Sequence, residues 1–335
     1  MVNIKSSKIK EIFNDLKKIK IAVIGDVMLD VYYWGDTSRI SPEAPVPVID
    51  ITHEEIKPGG AANVALNIKS IGAKTCLFGI IGNDLFGSSF VENLRNYDIN
   101  IENINIDSTR PTTVKTRILA SSQHVIRFDK EDKDLIGSKL EKKIIKDFEK
   151  NIKNINGVIL QDYNKGMLTP AINKKIIKLC NENNIIVTVD PKLNNLSSFK
   201  GATLFKPNLY EAEKILGREI ITEKDIEKAG SDLIKKLDFK HVVITLSEKG
   251  IALFTKGKKM KIIPAKAMKI SNVSGAGDTV IASITAFMCA GATFEQACTI
   301  ANYAASLVVE DVSIVPVNPK ELMKRLKNSG VIVKG

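Results

Sequence analysis

Apolar and polar positions along this chain follow two periods, and the period switches repeatedly. Ile9, Ile12, Phe13, Leu16 and Ile19 recur at helical spacing over residues 8–20. Ile21-Ala-Val-Ile-Gly25-Asp26 is then apolar without interruption and closed by turn residues, which predicts a buried strand. From Gly59 onward, strand-like runs at 76–81, 157–160, 185–189, 241–246 and 251–254 are interleaved with helical stretches. Those stretches lie at 61–70, 85–97, 137–153, 170–183, 222–237, 276–290 and 294–309. Strands alternating with helices predict right-handed βαβ units, hence a mostly parallel sheet covered on both faces.

Two segments depart from that texture. Residues 32–56 hold Pro42, Pro45 and Pro47 among short β-branched runs, which reads as edge strands rather than core. In 112–128, Val114, Thr116 and Ile118 alternate with Lys115, Arg117 and Leu119, and a second strand ends in Val125-Ile126-Arg127-Phe128. The expectation is one α/β domain over 1–335, with inserts at about 31–57 and 111–128 forming a small sheet that stands off it. One face of that small sheet should be apolar and covered.

Composition narrows the function classes. With 44% hydrophobic and 26% charged residues the chain suits a globular protein with a full core. No window reaches eighteen apolar residues, so no membrane helix is expected. The opening residues show no apolar signal core, and Cys76, Cys180, Cys289 and Cys298 are scattered without C-x-x-C spacing. A cytoplasmic protein without disulfides or a zinc site follows as the expectation. The net charge of +11 raises nucleic-acid binding, but only seven basic residues are Arg and the lysines alternate with Glu and Asp. Solvated helical faces explain that pattern better, so no nucleic-acid partner is expected. The histidines His53, His124 and His241 show no ligand spacing.

Three motifs carry candidate chemistry. Ser274-Gly275-Ala276-Gly277-Asp278-Thr279 enters an apolar helix. Glycines there let backbone N–H groups approach an anion, and an adjacent Asp can take a proton from a substrate hydroxyl. An ordinary glycine-rich cap is the plainer alternative. Pro58-Gly59-Gly60-Ala61-Ala62-Asn63 opens another helix, where Asn63 offers a donor and an acceptor to a polyol, or simply a cap. In Lys206-Pro207-Asn208-Leu209-Tyr210-Glu211, Asn208 and Glu211 lie on one helical face, suited to a hydrated Mg²⁺ or to a capping box. Neither G-x-x-x-x-G-K-[ST] nor a strand-associated G-x-G-x-x-G occurs.

The order of these motifs, with Gly25-Asp-Val-Met-Leu-Asp30 after the first strand, resembles the ribokinase-like (PfkB) carbohydrate kinases over about residues 21–326. The resemblance implies a three-layer α/β/α fold with a small β-sheet lid, and ATP with Mg²⁺. Asp278 would be the catalytic base, and Gly275, Ala276 and Gly277 the anion hole. Asp30, Gly59, Gly60, Asn63, Arg127, Asp162 and Lys165 would meet the sugar. Asn208, Glu211, Thr245, Ser247, Gly250, Gly275, Gly277 and Asn302 would meet the nucleotide, with Asn208 and Glu211 holding Mg²⁺ through water. A homodimer through the lid is implied as well.

One branch fits further. Residues 34–48, Pro58-Gly-Gly-Ala-Ala-Asn-Val-Ala65, Val125-Ile-Arg-Phe-Asp129, Gln161-Asp-Tyr-Asn-Lys-Gly166 and Asp190-Pro-Lys192 look like the heptose kinases of the ADP-heptose pathway. These phosphorylate O1 of D-glycero-β-D-manno-heptose 7-phosphate, for whose phosphate Arg39, Arg117, Arg127, Lys165 and Lys192 are candidates. Asn272 and Ser274 replace Asp and Thr of the usual D-x-T-G-A-G-D, and Glu310-Asp-Val-Ser-Ile314 replaces a Gly-Thr/Ala turn. Both changes touch the loops that hold K⁺ in relatives and leave potassium activation open. No H-x-G-H motif or second nucleotidyltransferase domain is expected, so adenylylation would fall to a separate protein. Kinases of ribose, fructose or fructose 6-phosphate, and a non-catalytic sugar or nucleotide sensor, are the alternatives.

Overall fold

The computed structural model describes residues 3–120, 123–266, 273–311 and 315–333. A nine-stranded sheet runs through its centre. From edge to edge the order is Lys261–Ile263, Ile251–Thr255, His241–Thr245, Leu204–Phe205, Ile186–Asp190, Gly157–Gln161, Lys20–Gly25, Lys74–Ile81 and Ile104–Ile106. Ile251–Thr255 is antiparallel to both its neighbours, and every other pair is parallel.

Both faces of this sheet are dry. In Lys20–Gly25, Ile21 and Val23 enter one apolar core while Ala22 and Ile24 enter the other, all fully buried. That is why the strand reads as an unbroken apolar run rather than an alternation. Helices Ser6–Leu16, Ala61–Ser70, Leu85–Asn96, Ala276–Cys289, Phe294–Val309 and Pro319–Asn328 cover the first face. Ser138–Asn151, Pro170–Glu182, Leu209–Leu216 and Glu223–Leu237 cover the second. The expected three layers are present. The segments that escaped the periodicity are short, such as the two-residue strand Leu204–Phe205 and the eight-residue helix Leu209–Leu216.

A second sheet of four strands, in the order Pro47–Gly60, Val27–Ile40, Val114–Ala120 and Gln123–Lys130, stands beside the first. The expectation of short edge strands over 32–56 holds for the edge place of Pro47–Gly60 and is corrected for strand length and for Val27–Ile40. Val27–Ile40 and Pro47–Gly60 are 14 residues each, and Val27–Ile40 is interior, antiparallel to Pro47–Gly60 and parallel to Val114–Ala120. The prolines mislead because Pro42 and Pro45 lie between the strands and Pro47 begins an edge strand, where no ladder N–H is required.

The register of this small sheet sorts its side chains by face. Asp30 stands opposite Lys57 and Lys115, and Tyr32 opposite Glu55 and Arg117, giving one charged face. Val27, Leu29 and Val31 point the other way, into the main core. Farther out Ile40, Val46, Ile51, Ile126 and Phe128 are exposed, so the apolar face is covered only at its base within the chain.

Candidate active site

Four adjacent parallel strands end on one spot. Beyond Lys20–Gly25 comes Asp26, Gly157–Gln161 delivers Gln161 and Tyr163, Ile186–Asp190 delivers Asp190 and Lys192, and Leu204–Phe205 delivers Lys206. The carboxyl ends of parallel strands are where open α/β sheets bind ligands. Helix Ala276–Cys289 starts at the same place. Its residues from Asp278 to Phe287 are all buried, so it fits only inside the core. Gly275, at φ +80°, turns the chain into that helix and leaves Asp278 in the first turn.

Asp278 is 5% exposed and held from three sides. Asn63 Nδ2 donates to Oδ2 at 2.7 Å, while Tyr163 Oη (2.8 Å) and Gln161 Nε2 (3.1 Å) donate to Oδ1. Burial and then the Asp190 charge push the Asp278 carboxyl up to about 6, against the bonds from Asn63 and Tyr163 and the Lys206 charge. A carboxylate of that basicity is ionised at neutral pH and accepts a proton more readily than an ordinary aspartate. Asn63 arrives by way of Gly60, whose φ of +59° joins strand Pro47–Gly60 to helix Ala61–Ser70. A side chain on Gly60 would overlap the Asp26 carbonyl, and one on Gly59 would overlap Asp30 Oδ2.

On one side of Asp278 opens a cavity of about 390 Å³. Asn208, Glu211, Thr245, Ser247, Gly250, Gly275, Gly277 and Asn302, the residues expected to meet a nucleotide, all line it, as do Ala276, Asp190 and Lys206. Lys206 is 3% exposed, pairs with Asp190 at 3.0 Å and lies beside Gly277. A cation thereby joins the helix N-terminus where an anion would sit. Ala276 donates its N–H back to the Val273 carbonyl at 3.3 Å, so that donor is already engaged.

Asn208 and Glu211 do form a capping box. Asn208 Oδ1 accepts from Glu211 N–H (2.8 Å) and Glu211 Oε2 accepts from Asn208 N–H (2.9 Å). Glu211 Oε1 also accepts from Lys192 Nζ at 2.6 Å. Burial lowers the Lys192 ammonium, but Glu211 beside it holds it above its ordinary value. Among the described residues no three His, Cys, Asp or Glu side chains cluster as metal ligands. That donor set fits a hydrated Mg²⁺ steadied through water and substrate phosphates, and does not fit a cation caged by protein oxygens.

The charged face of the small sheet meets the site at Tyr163, over whose ring Lys115 Nζ lies while the hydroxyl donates to Asp278. Arg117 Nη1 donates to Asp30 Oδ1 at 2.6 Å and stacks on Tyr32. Arg127 is tied to Asp129 by two bonds of 2.8 and 2.5 Å. Lys165 Nζ forms an ion pair with Glu131 Oε2 at 2.7 Å. Arg39 is exposed near the sheet's outer end, 3.7 Å from Asp50. Asp162 accepts backbone N–H bonds from Asn164 (2.7 Å) and Lys192 (3.3 Å). Burial, then Asp26, push Asp162 up to about 7. It braces its loop, and its chain neighbours Gln161 and Tyr163 are the residues of that segment that reach Asp278.

Tyr163, Gln161, Asp190 and Lys206 lie in motifs quoted from the sequence, but no site role is expected there for any of them individually. The signal available was positional, since each stands at or just beyond the carboxyl end of a predicted strand or beside the Asn208 motif. Asn272, on which the potassium expectation turns, lies outside the described residues, as do 312–314.

The sequence profile described as pfkB family carbohydrate kinase matches residues 18–321. The chain belongs to this family. It is a carbohydrate kinase, a phosphotransferase with an alcohol acceptor. It is 42% identical over 290 residues to the Bifunctional protein HldE of Helicobacter pylori (strain HPAG1), covering 87% of this chain and 62% of that protein. To the Bifunctional protein HldE of Sulfurimonas denitrificans it is 40% identical over 303 residues, 90% of this chain and 63% of the relative. The kinase thus spans a little under two thirds of these relatives. Its fold is that of Arabidopsis thaliana ribokinase complexed with ribose and ATP, at TM-score 0.73 and 22% identity over 92% and 98% of the two chains. Phosphofructokinase-2 from Escherichia coli in complex with potassium shares it too, at TM-score 0.74 and 17% identity over 91% and 97%.

Proposed function

We propose that the kinase transfers the γ-phosphoryl group of ATP to O1 of D-glycero-β-D-manno-heptose 7-phosphate, giving the 1,7-bisphosphate. The observation that carries this reading is the place of Asp278. It lines the cavity of the nucleotide-binding candidates and is joined through Tyr163 to Lys115 on the charged face of the small sheet, as a buried carboxylate raised to about 6. The HldE relatives, about 40% identical, support the choice of sugar.

In the reaction O1 loses its proton to Asp278, the O1–Pγ bond forms, and the bond from Pγ to the bridging oxygen breaks to release ADP. Asn63, Gln161 and Tyr163 fix the carboxylate, so little reorganisation remains when the proton moves. Lys206 and the first turn at Gly275–Gly277 hold the transferring group, and Asp30 with Asn63 meets sugar hydroxyls. Asn208 and Glu211 would hold a hydrated Mg²⁺, which would neutralise charge at the phosphates when bound. The bisphosphate then serves an adenylyltransferase acting as a separate activity.

A coupled ADP-release assay with Mg-ATP tests the reading over heptose 7-phosphate, sedoheptulose 7-phosphate, fructose 6-phosphate, ribose and fructose. Turnover should be confined to heptose 7-phosphate or favour it by orders of magnitude. Preference for another sugar would discard the heptose assignment and keep the kinase. Silence on every sugar would favour the sensor.

A further inference from the structure

We propose that Lys115 is an anion subsite of the sugar pocket, selecting substrates that carry a phosphate at the end remote from the reacting hydroxyl. This rests on the kinase reading above and adds a specificity determinant to it.

Charge pairing sets Lys115 apart from its neighbours. On the charged face of the small sheet and the loops beneath it, the cations are matched one by one. Lys57 lies 2.9 Å from Glu55, Arg117 2.6 Å from Asp30, Arg127 2.5 Å from Asp129, Lys165 2.7 Å from Glu131 and Lys192 2.6 Å from Glu211. Lys115 sits among them and has no carboxylate partner among the described residues. Its Nζ lies over the Tyr163 ring, 4.9 Å from the centroid. Four of the five cations proposed from sequence for the sugar's phosphate are therefore already matched here, and the fifth, Arg39, is out by Asp50. The unmatched charge belongs to a residue whose place in the strand alternation had looked merely polar.

An unpaired ammonium in a half-buried site is costly. Burial and the neighbouring charges of Arg127 and Lys165 lower its hold on its proton, and Asp30 and Asp129 restore only part. A phosphate arriving with the substrate removes that cost, and the ammonium's rotatable donors suit phosphate oxygens. The position is informative as well. One face of Tyr163 meets Lys115 while its hydroxyl donates to Asp278. An anion on Lys115 then lies one aromatic ring away from the base, so a sugar can bridge the two only if its phosphate and its reacting hydroxyl are at opposite ends.

The test compares wild type, Lys115→Met and Lys115→Arg on heptose 7-phosphate and on the same heptose without phosphate. Calorimetric binding of heptose 7-phosphate in the absence of ATP is measured alongside, and thermal unfolding confirms that each variant is folded. Lys115→Met should lower kcat/KM for the phosphorylated sugar by about 10- to 100-fold, mainly through KM, and leave the unphosphorylated sugar within about two-fold. Lys115→Arg should keep most of the selectivity. Equal losses on both sugars, or none on either, would overturn the subsite. A wild type that turns over sugars without preferring the phosphorylated one would overturn it too, with the kinase reading intact. Lys115-dependent binding without turnover would sustain the subsite and sink the proposed reaction instead.

Discussion

Tyr163→Phe removes one oxygen from the site and leaves the ring in place. The ring keeps its approaches to Lys115 and Lys192, and Asp278 keeps its bonds from Asn63 and Gln161. What disappears is the 2.8 Å bond from Tyr163 Oη to Asp278 Oδ1. Burial and Asp190 raise the Asp278 carboxyl to about 6, and the bonds from Asn63 and Tyr163 hold it down. Losing one of them must raise it further. A hydrogen bond to a charged group contributes roughly 1.5–3 kcal/mol, which corresponds to about one to two pH units. The acid limb of kcat/KM should therefore move from near pH 6 to about pH 7–8. At pH 7 the variant should lose roughly 2- to 10-fold, and near pH 9 it should recover to within about two-fold of wild type. The assay is the pH profile of ADP release, with thermal unfolding as a check on folding. A midpoint left in place would refute the reasoning, as would an equal loss at every pH.

Asp278→Asn should lower turnover by about 10²- to 10⁴-fold with the fold intact. It should also stabilise the protein. The Asp278 carboxyl is raised in the folded state, so its favourable contribution is full below pH 4 and fades as pH rises toward about 6. At pH 7–8 the Asn variant should gain up to about 3 kcal/mol over wild type, and the gain should vanish in acid. Gly59→Ala should displace the Asp30 side chain and raise KM for the sugar with little change in melting temperature. Gly60→Ala meets backbone at a left-handed φ and should cost about 1–3 kcal/mol of stability in a denaturant titration. If the exposed Ile126 and Phe128 form a dimer contact through the small sheet, serine at both should yield monomers by analytical ultracentrifugation. An unchanged mass would remove that assignment.

The layers were legible because a sheet buried on both faces must show uninterrupted apolar strands such as 21–25, and its covering helices must show the longer period. Asp278 was legible as a candidate through the order of its motif with the other two along the chain, because glycines before an acidic residue at a helix start also make an ordinary cap. Tyr163 and Lys206 were not, since their significance is the meeting of separate strand ends at one carboxylate, which no local pattern encodes. The capping box at Asn208 and Glu211 shows the converse. A local reading and a functional one fall on the same residues; the cap forms, and it leaves both side chains on the cavity wall, where the functional reading needs them. Lys115 was hidden because matching charges is a property of the folded register, where Asp30, Arg127 and Lys165 become its neighbours.

The central claim, that Asp278 activates the anomeric hydroxyl of a phosphorylated heptose, is tested most directly by the product. Phosphorus NMR of the reaction of Mg-ATP with heptose 7-phosphate should show a second phosphate coupled to the anomeric proton, formed by wild type and absent with Asp278→Asn. Phosphate on any other carbon, or the same product at an undiminished rate from the Asn variant, would contradict the account.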